Sequence, residues 1–184
     1  DRIAPLVNEV YNNPTENSGI SMLLATYLFA IQIYCDFSGY SDIAIGASRI
    51  LGIKLMDNFN VPYLSKSVTE FWRRWHISLS TWFRDYVYIP LGGSRTSKLR
   101  WYMNLMIVFL VSGLWHGANW TFIAWGTLNA IYFLPLLLTN NNRKNIGLVA
   151  KGKTLPSLKE FSFMLLTFGF TVFGWIFFRA ENIG

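Results

Sequence analysis

Only two histidines occur in the 184 residues of this chain, and both stand where a proton acceptor is conspicuous. His116 lies in VSGLWHGANWTFIAWG (111–126), a run otherwise aliphatic, aromatic or small. A neutral imidazole has one donor and one acceptor nitrogen and titrates near neutral pH. It is therefore suited to take the proton of a hydroxyl that is attacking a carbonyl. An ionisable side chain inside an apolar block is costly and reads first as a functional residue. The competing reading is a histidine that bonds a carbonyl where Gly113 and Gly117 break a helix. His76 lies in FWRRWHISLSTWFRDYVYIPLGG (71–93); taken by itself, it reads as a structural residue on an interfacial helix.

Other chemistries have little to stand on. There is no Gly-x-Ser-x-Gly elbow, no His-Glu-x-x-His helix and no phosphate loop, and two histidines are too few for a zinc site. No metal and no bound cofactor are expected. The lone Cys35 rules out an intrachain disulfide and any paired-cysteine site. Its apolar neighbours argue against a reactive thiolate, and so against a covalent acyl-enzyme.

The elements that must carry these residues are membrane segments. The chain is 52% hydrophobic and 14% charged, with a mean hydropathy of +0.30; soluble domains average about 25% charged. Residues 101–138 contain no Asp, Glu, Lys or Arg at all. Within them 118–138 has the length of a spanning helix, 161–178 is a second uncharged run, and 19–35 is a third of marginal length. The arm 101–114 is short for a crossing, so a tilted or re-entrant helix is an alternative there. The net charge of +6 could suggest a nucleic-acid binder. The basic residues instead sit between apolar blocks: Arg95, Lys98 and Arg100 before one, and Arg143, Lys144, Lys151, Lys153 and Lys159 between the next two. That is the pattern of cytoplasmic loops, and no nucleic-acid partner is expected.

Along the chain, 1–18 reads as a short amphipathic or loop region. Asp36 and Asp42 interrupt the first apolar run, and Gly39, Gly46 and Gly52 allow close backbone approach. Ser67 and Glu70 have capping-box spacing, which predicts a helix from Val68 to about residue 88. Trp72, Trp75, Leu79, Trp82, Phe83 and Tyr86 form its apolar stripe, and tryptophans with arginines suit a membrane interface. Pro90 and Gly92-Gly93 end it, and 139–160 is expected to be a basic loop. No secretory signal peptide is visible, and the abrupt ends DRIAPLVNEV and FFRAENIG lead to the expectation of a piece of a longer polytopic protein. The fold class expected is all-α: a polytopic transmembrane helical bundle with re-entrant or interfacial helices.

Three strings, YCDFSGYSDIAIG (34–46), FWRRWHISLSTWFRDYVYIPLGG (71–93) and SGLWHGANWTFIAWG (112–126), resemble the membrane-bound O-acyltransferase family. Within it they resemble the bacterial branch that includes alginate O-acetyltransferases, peptidoglycan O-acetyltransferases and the teichoic-acid D-alanylation membrane protein. The resemblance runs from about Asp1 to Arg179, and 1–184 would then be a partial membrane domain of a larger fold. It implies that His116 is the catalytic residue and His76 a second active-site histidine. It further implies an inner-membrane, multi-pass protein surrounded by lipid. Such a protein would use acetyl-CoA or another acyl thioester as donor substrate and an exported polysaccharide or cell-wall glycan as acceptor, with a periplasmic acetyltransferase as a possible partner. On this reading His116 takes the hydroxyl proton, and His76 orients reactants or donates to a developing oxyanion. Trp115 and Asn119 become substrate-binding candidates by adjacency. Arg73, Arg74 and Arg84 have two readings, the donor's phosphates or the membrane surface. The rivals are a transporter or flippase, whose pathway Asp36 and Asp42 would line, and a non-catalytic scaffold for a periplasmic acyltransferase.

Overall fold

The computed structural model describes residues 2–142, 147, 149–150, 152 and 154–182. Most of the expected basic loop's cations, Arg143, Lys144, Lys151 and Lys153, lie outside these residues. Among the described residues every regular element is a helix, and the chain divides into two compact units, Asp1–Asp57 and Asn58–Gly184.

The first unit is a pair of helices, α1 (Ile3–Asn12) and α2 (Gly19–Ile50). Tyr11 on α1 meets Thr26 on α2 through their hydroxyls at 3.0 Å. The Ser18 side chain caps α2 by accepting from the Ser21 N–H. Helix α2 continues beyond the apolar run 19–35, through Asp36 and Asp42, for 32 residues in all. Aspartate is only mildly unfavourable within a helix, by less than about 0.7 kcal/mol, and both carboxylates are exposed, so neither ends it. Nor do Gly39 and Gly46 mark a close approach, since nothing lies within 4 Å of where a Cβ would stand. Gly52 does have a role. It takes φ +75° just past the helix end, where Gly52 N–H donates to Arg49 O and Ile53 N–H to Ser48 O.

The second unit holds both histidines. After a 3-10 turn at Pro62–Leu64 come α3 (Val68–Arg74), α4 (Ile77–Phe83), a π turn at Arg84–Tyr88, α5 (Lys98–His116), α6 (Trp120–Leu138) and α7 (Leu158–Arg179). The single helix expected over 68–88 is therefore three pieces. Its predicted start is present, with the Ser67 side chain accepting from the Glu70 N–H. A full capping box opens α7, formed by Ser157 and Glu160. The turn after the π segment is locked from α5: Asn104, wholly buried, donates to Leu91 O and Gly93 O, and the Trp101 indole donates to the Tyr88 hydroxyl at 2.7 Å.

Helices α2, α6 and α7 are long and apolar enough to cross a membrane. Helices α5 and α6 form an antiparallel hairpin whose crossing is set by glycine. A Cβ on Gly126 would stand 2.4 Å from the Phe109 carbonyl oxygen, and one on Gly113 2.4 Å from that of Phe122. Gly113 thus lies buried inside α5, at the contact, and does not break it; the helix ends at Gly117. Above the crossing Phe109, Ala130, Phe133 and Leu137 pack with Val68 of α3 into one apolar cluster.

This crossing generates a paired prediction for the full-length protein. Gly126→Ala should destabilise it by about 1–3 kcal/mol, because backbone cannot move aside as a side chain can. Gly169→Ala, on an exposed face of α7 with nothing within 4 Å, should be neutral or stabilising. Thermal unfolding in detergent measures both, and equal shifts would contradict the backbone contact.

Candidate functional site

His76 is displayed by a break in the chain. Trp75 is extended (φ −106°, ψ 128°) and His76 is left-handed (φ 45°, ψ 56°), so α3 stops and α4 restarts in a new direction. The left-handed region costs a non-glycine residue roughly 1–2 kcal/mol, so the surroundings must hold it there. They do so on both sides. Trp75 is buried at 4% exposure, with ring contacts to Phe59, Phe71 and Trp175 at 5.0–5.6 Å. Backbone groups freed by the break are taken up by residues 58–60. Asn60 N–H donates to Arg74 O at 2.9 Å, Ile77 N–H donates to Asn58 O at 3.0 Å, and the Arg74 guanidinium donates to Asn60 O at 3.3 Å.

His116 is displayed by the end of α5. Its ring stands edge-on to Trp125 (5.2 Å, 88°) and Phe178 (5.0 Å, 80°), with Phe122 at 6.2 Å. Gly117 keeps this turn tight, because a Cβ there would stand 2.6 Å from the Phe122 ring. Trp115 bridges the two histidines, 4.9 Å from His116 and 6.3 Å from His76, T-shaped to both. Trp115 is itself 57% exposed, and both histidines are half-buried. The imidazoles are within electrostatic reach of each other.

The other candidates separate. Asn119 caps α6 by accepting from Thr121 N–H, and its amide donates to Glu181 O at 2.9 Å, so both ends of the side chain are engaged in holding the turn. Arg74 is paired with Glu70 at 2.6 Å, their side chains 12% and 2% exposed, and Glu70 also accepts from Lys66 N–H. This buried pair is an internal brace for α3. Arg84 grips the adjacent Asp85 with two hydrogen bonds on the exposed surface. Arg73 is exposed at the end of α3. Sequence reading missed Asn58, Ser78 and Phe178. Ser78 lies between His76 and Asn58, its hydroxyl 3.4 Å from His76 Nδ1 and 2.6 Å from Asn58 Oδ1.

His76 lies outside the three spanning helices, and burial disfavours its charged form, pulling its pKa down to about 4. A neutral ring at pH 7 keeps a lone pair available to accept a proton. In the full-length protein the His76 ¹⁵N resonances should therefore stay those of a neutral imidazole from pH 7.5 down to about 5. A midpoint at the ordinary value near 6.5 would contradict the burial.

Comparison with known proteins adds the chain's kinship. Residues 6–178 match the model of the membrane-bound O-acyltransferase family. The whole chain is 44% identical to a probable alginate O-acetylase of Azotobacter vinelandii, of which it covers 34%. It is 40% identical over its full length to a peptidoglycan O-acetyltransferase of Helicobacter pylori, covering 33% of that protein. Over 91% of its length it is 36% identical to a teichoic acid D-alanyltransferase of Bacillus subtilis, covering 43% of it. The chain thus spans about a third of the length of the first relatives it matches. With a match over nearly its whole length, and with helices suited to a membrane, the chain belongs to the membrane-bound O-acyltransferase family.

Proposed function

We propose that this chain carries the histidine pair of a membrane O-acyltransferase that moves an acyl group, most simply acetyl, from a thioester onto a hydroxyl of an exported polysaccharide or cell-wall glycan. The observation that carries the reading is the pairing itself. Two histidines from distant strings meet at one tryptophan, each held by its own helix terminus. The relatives named for acetyl or D-alanyl transfer supply the class of reaction.

The step balances without a covalent enzyme intermediate. The hydroxyl proton passes to His116 as the oxygen attacks the thioester carbonyl. The C–O bond forms, the C–S bond breaks, and the departing thiolate recovers the proton from the imidazolium, giving ester and free thiol. Burial already holds His76 neutral, so one proton at a time is in play. The aromatic walls of Trp125, Phe122 and Phe178 shield part of the His116 ring, which is half-buried. Trp115, open on one side, offers a face on which a reactant could rest. A CoA-type donor, an inner-membrane location with surrounding lipid and a periplasmic acetyltransferase partner complete the reading.

The test uses the full-length protein in membranes with radiolabelled acetyl-CoA, counting label on exported glycan. His116→Ala should lower transfer by about 10²–10⁴-fold, the usual contribution of a positioned base. Equal labelling at equal expression would contradict the reading and favour a scaffold. Cys35→Ala should retain wild-type transfer, since Cys35 is the chain's one thiol and sits on an exposed face of α2. Loss with intact folding would point to an acyl-enzyme.

A further inference from the structure

The corner that displays His76 consists of Trp75 and His76, and the segment 58–60 fixes it from both sides. On the far side Asn58 O takes the Ile77 N–H and Asn58 Oδ1 takes the Ser78 N–H. On the near side Arg74 and Asn60 exchange two hydrogen bonds. The Asn60 N–H donates to Arg74 O at 2.9 Å, and one guanidinium nitrogen of Arg74 donates to Asn60 O at 3.3 Å. Glu70 holds that guanidinium in place. Its Oε1 accepts from the other terminal nitrogen of Arg74 at 2.6 Å, and its Oε2 accepts from the Lys66 N–H at 2.7 Å. Two donors thus meet two carboxylate oxygens, and an amide in place of Glu70 would set its own NH2 group against one of them. The Glu70 side chain is 2% exposed, so water cannot replace either partner.

We propose that Glu70 and Arg74 are positioning residues that set the place of His76, acting through residues 58–60. The consequence for catalysis rests on the acyltransferase reading above. A buried ion pair often adds little stability over apolar residues of the same size, because desolvation offsets its attraction. What this pair supplies is direction. The planar guanidinium reaches Glu70 Oε1 and Asn60 O with two different nitrogens, a fork that the single ammonium of lysine cannot reproduce. With Arg74, Ile77 and Ser78 all registered on residues 58–60, the two residues between them have little freedom, and His76 keeps φ 45°. Without the fork the near side of the corner loosens, and the imidazole drifts from its place beside Trp115. A misplacement of about 1 Å can cost about 100-fold in rate.

The experiment uses full-length protein with ¹⁵N-labelled histidine, the His76 signals being those lost in His76→Gln, and acetyl transfer measured beside the spectra. Arg74→Lys keeps a cation against Glu70 and should fold, whereas Glu70→Ala would leave a buried cation unpaired. In Arg74→Lys the His76 signals should move while those of His116 stay. Its kcat should fall about 10- to 100-fold, with KM for acetyl-CoA staying within about twofold. Glu70→Gln keeps the size but not the second acceptor, and should move the same signals from the other side of the pair. His76 signals that stay as in wild type in both variants overturn the proposal, and a lowered unfolding temperature alone would then make the pair a brace of the fold. A raised KM at unchanged kcat also overturns it, in favour of Arg74 as a ligand for the donor's phosphates. Transfer by His76→Gln is read separately. If it equals wild type, the catalytic use of His76 fails, while the His76 signals in Arg74→Lys still decide whether the pair positions the ring.

Discussion

When a helix breaks in apolar surroundings, the N–H and C=O groups it frees must find partners, or each costs about 1–3 kcal/mol. The rest of the site depends on how this chain meets that demand between α3 and α4. Residues 58–60 lie alongside the break and exchange hydrogen bonds with Arg74 O, the Ile77 N–H and the Ser78 N–H. With the backbone satisfied there, His76 can be held left-handed at the corner, and Trp75 can turn inward against Trp175 of α7. The buried Glu70–Arg74 pair stiffens the short helix just before the corner. A seven-residue helix is not stable alone, so α3 holds its shape through these partners and through the packing of Trp72 against Phe109 and Trp125.

A second constraint delivers the other histidine to the same place. Because Gly113 and Gly126 let α5 and α6 meet backbone to backbone, the end of α5 is brought close against the start of α6. His116 then lies among Trp115, Phe122 and Trp125 of the hairpin and Phe178 of α7. Asn119 ties the hairpin turn to the far end of α7 through Glu181 O. The tryptophan that α6 sets beneath Trp72 is the one that walls His116. Packing and chemistry thus share residues, and small errors in helix spacing would be felt at the imidazole.

What could be read from residues alone follows the range of the interactions. The uncharged runs 118–138 and 161–178 foretold helices that emerge as Trp120–Leu138 and Leu158–Arg179, since crossing a membrane leaves a compositional trace. The Ser67 cap was legible because it is local, and so in principle was Glu70–Arg74, a pair one turn apart. The break at Trp75–His76 was not, because no glycine or proline marks it and its cause is a loop distant in sequence. Asn58 and Ser78 were missed for the same reason. The apolar run 19–35 marked only the first half of α2, because an exposed helix face tolerates the two carboxylates that follow. His116 stood out because it is the lone formally ionisable group of an uncharged stretch apart from tyrosines, while His76 needed the resemblance to be chosen at all.

The central claim is that His76 and His116 act as one unit in acyl transfer. A double-mutant cycle in the full-length protein tests it most directly, comparing single-turnover transfer in His76→Gln, His116→Gln and the pair. Groups acting as a unit are grossly non-additive, so the double variant should be about as slow as the slower single variant. Losses that multiply, or a single variant with wild-type rate, would show that the two histidines work apart, and the account of a shared site would be wrong.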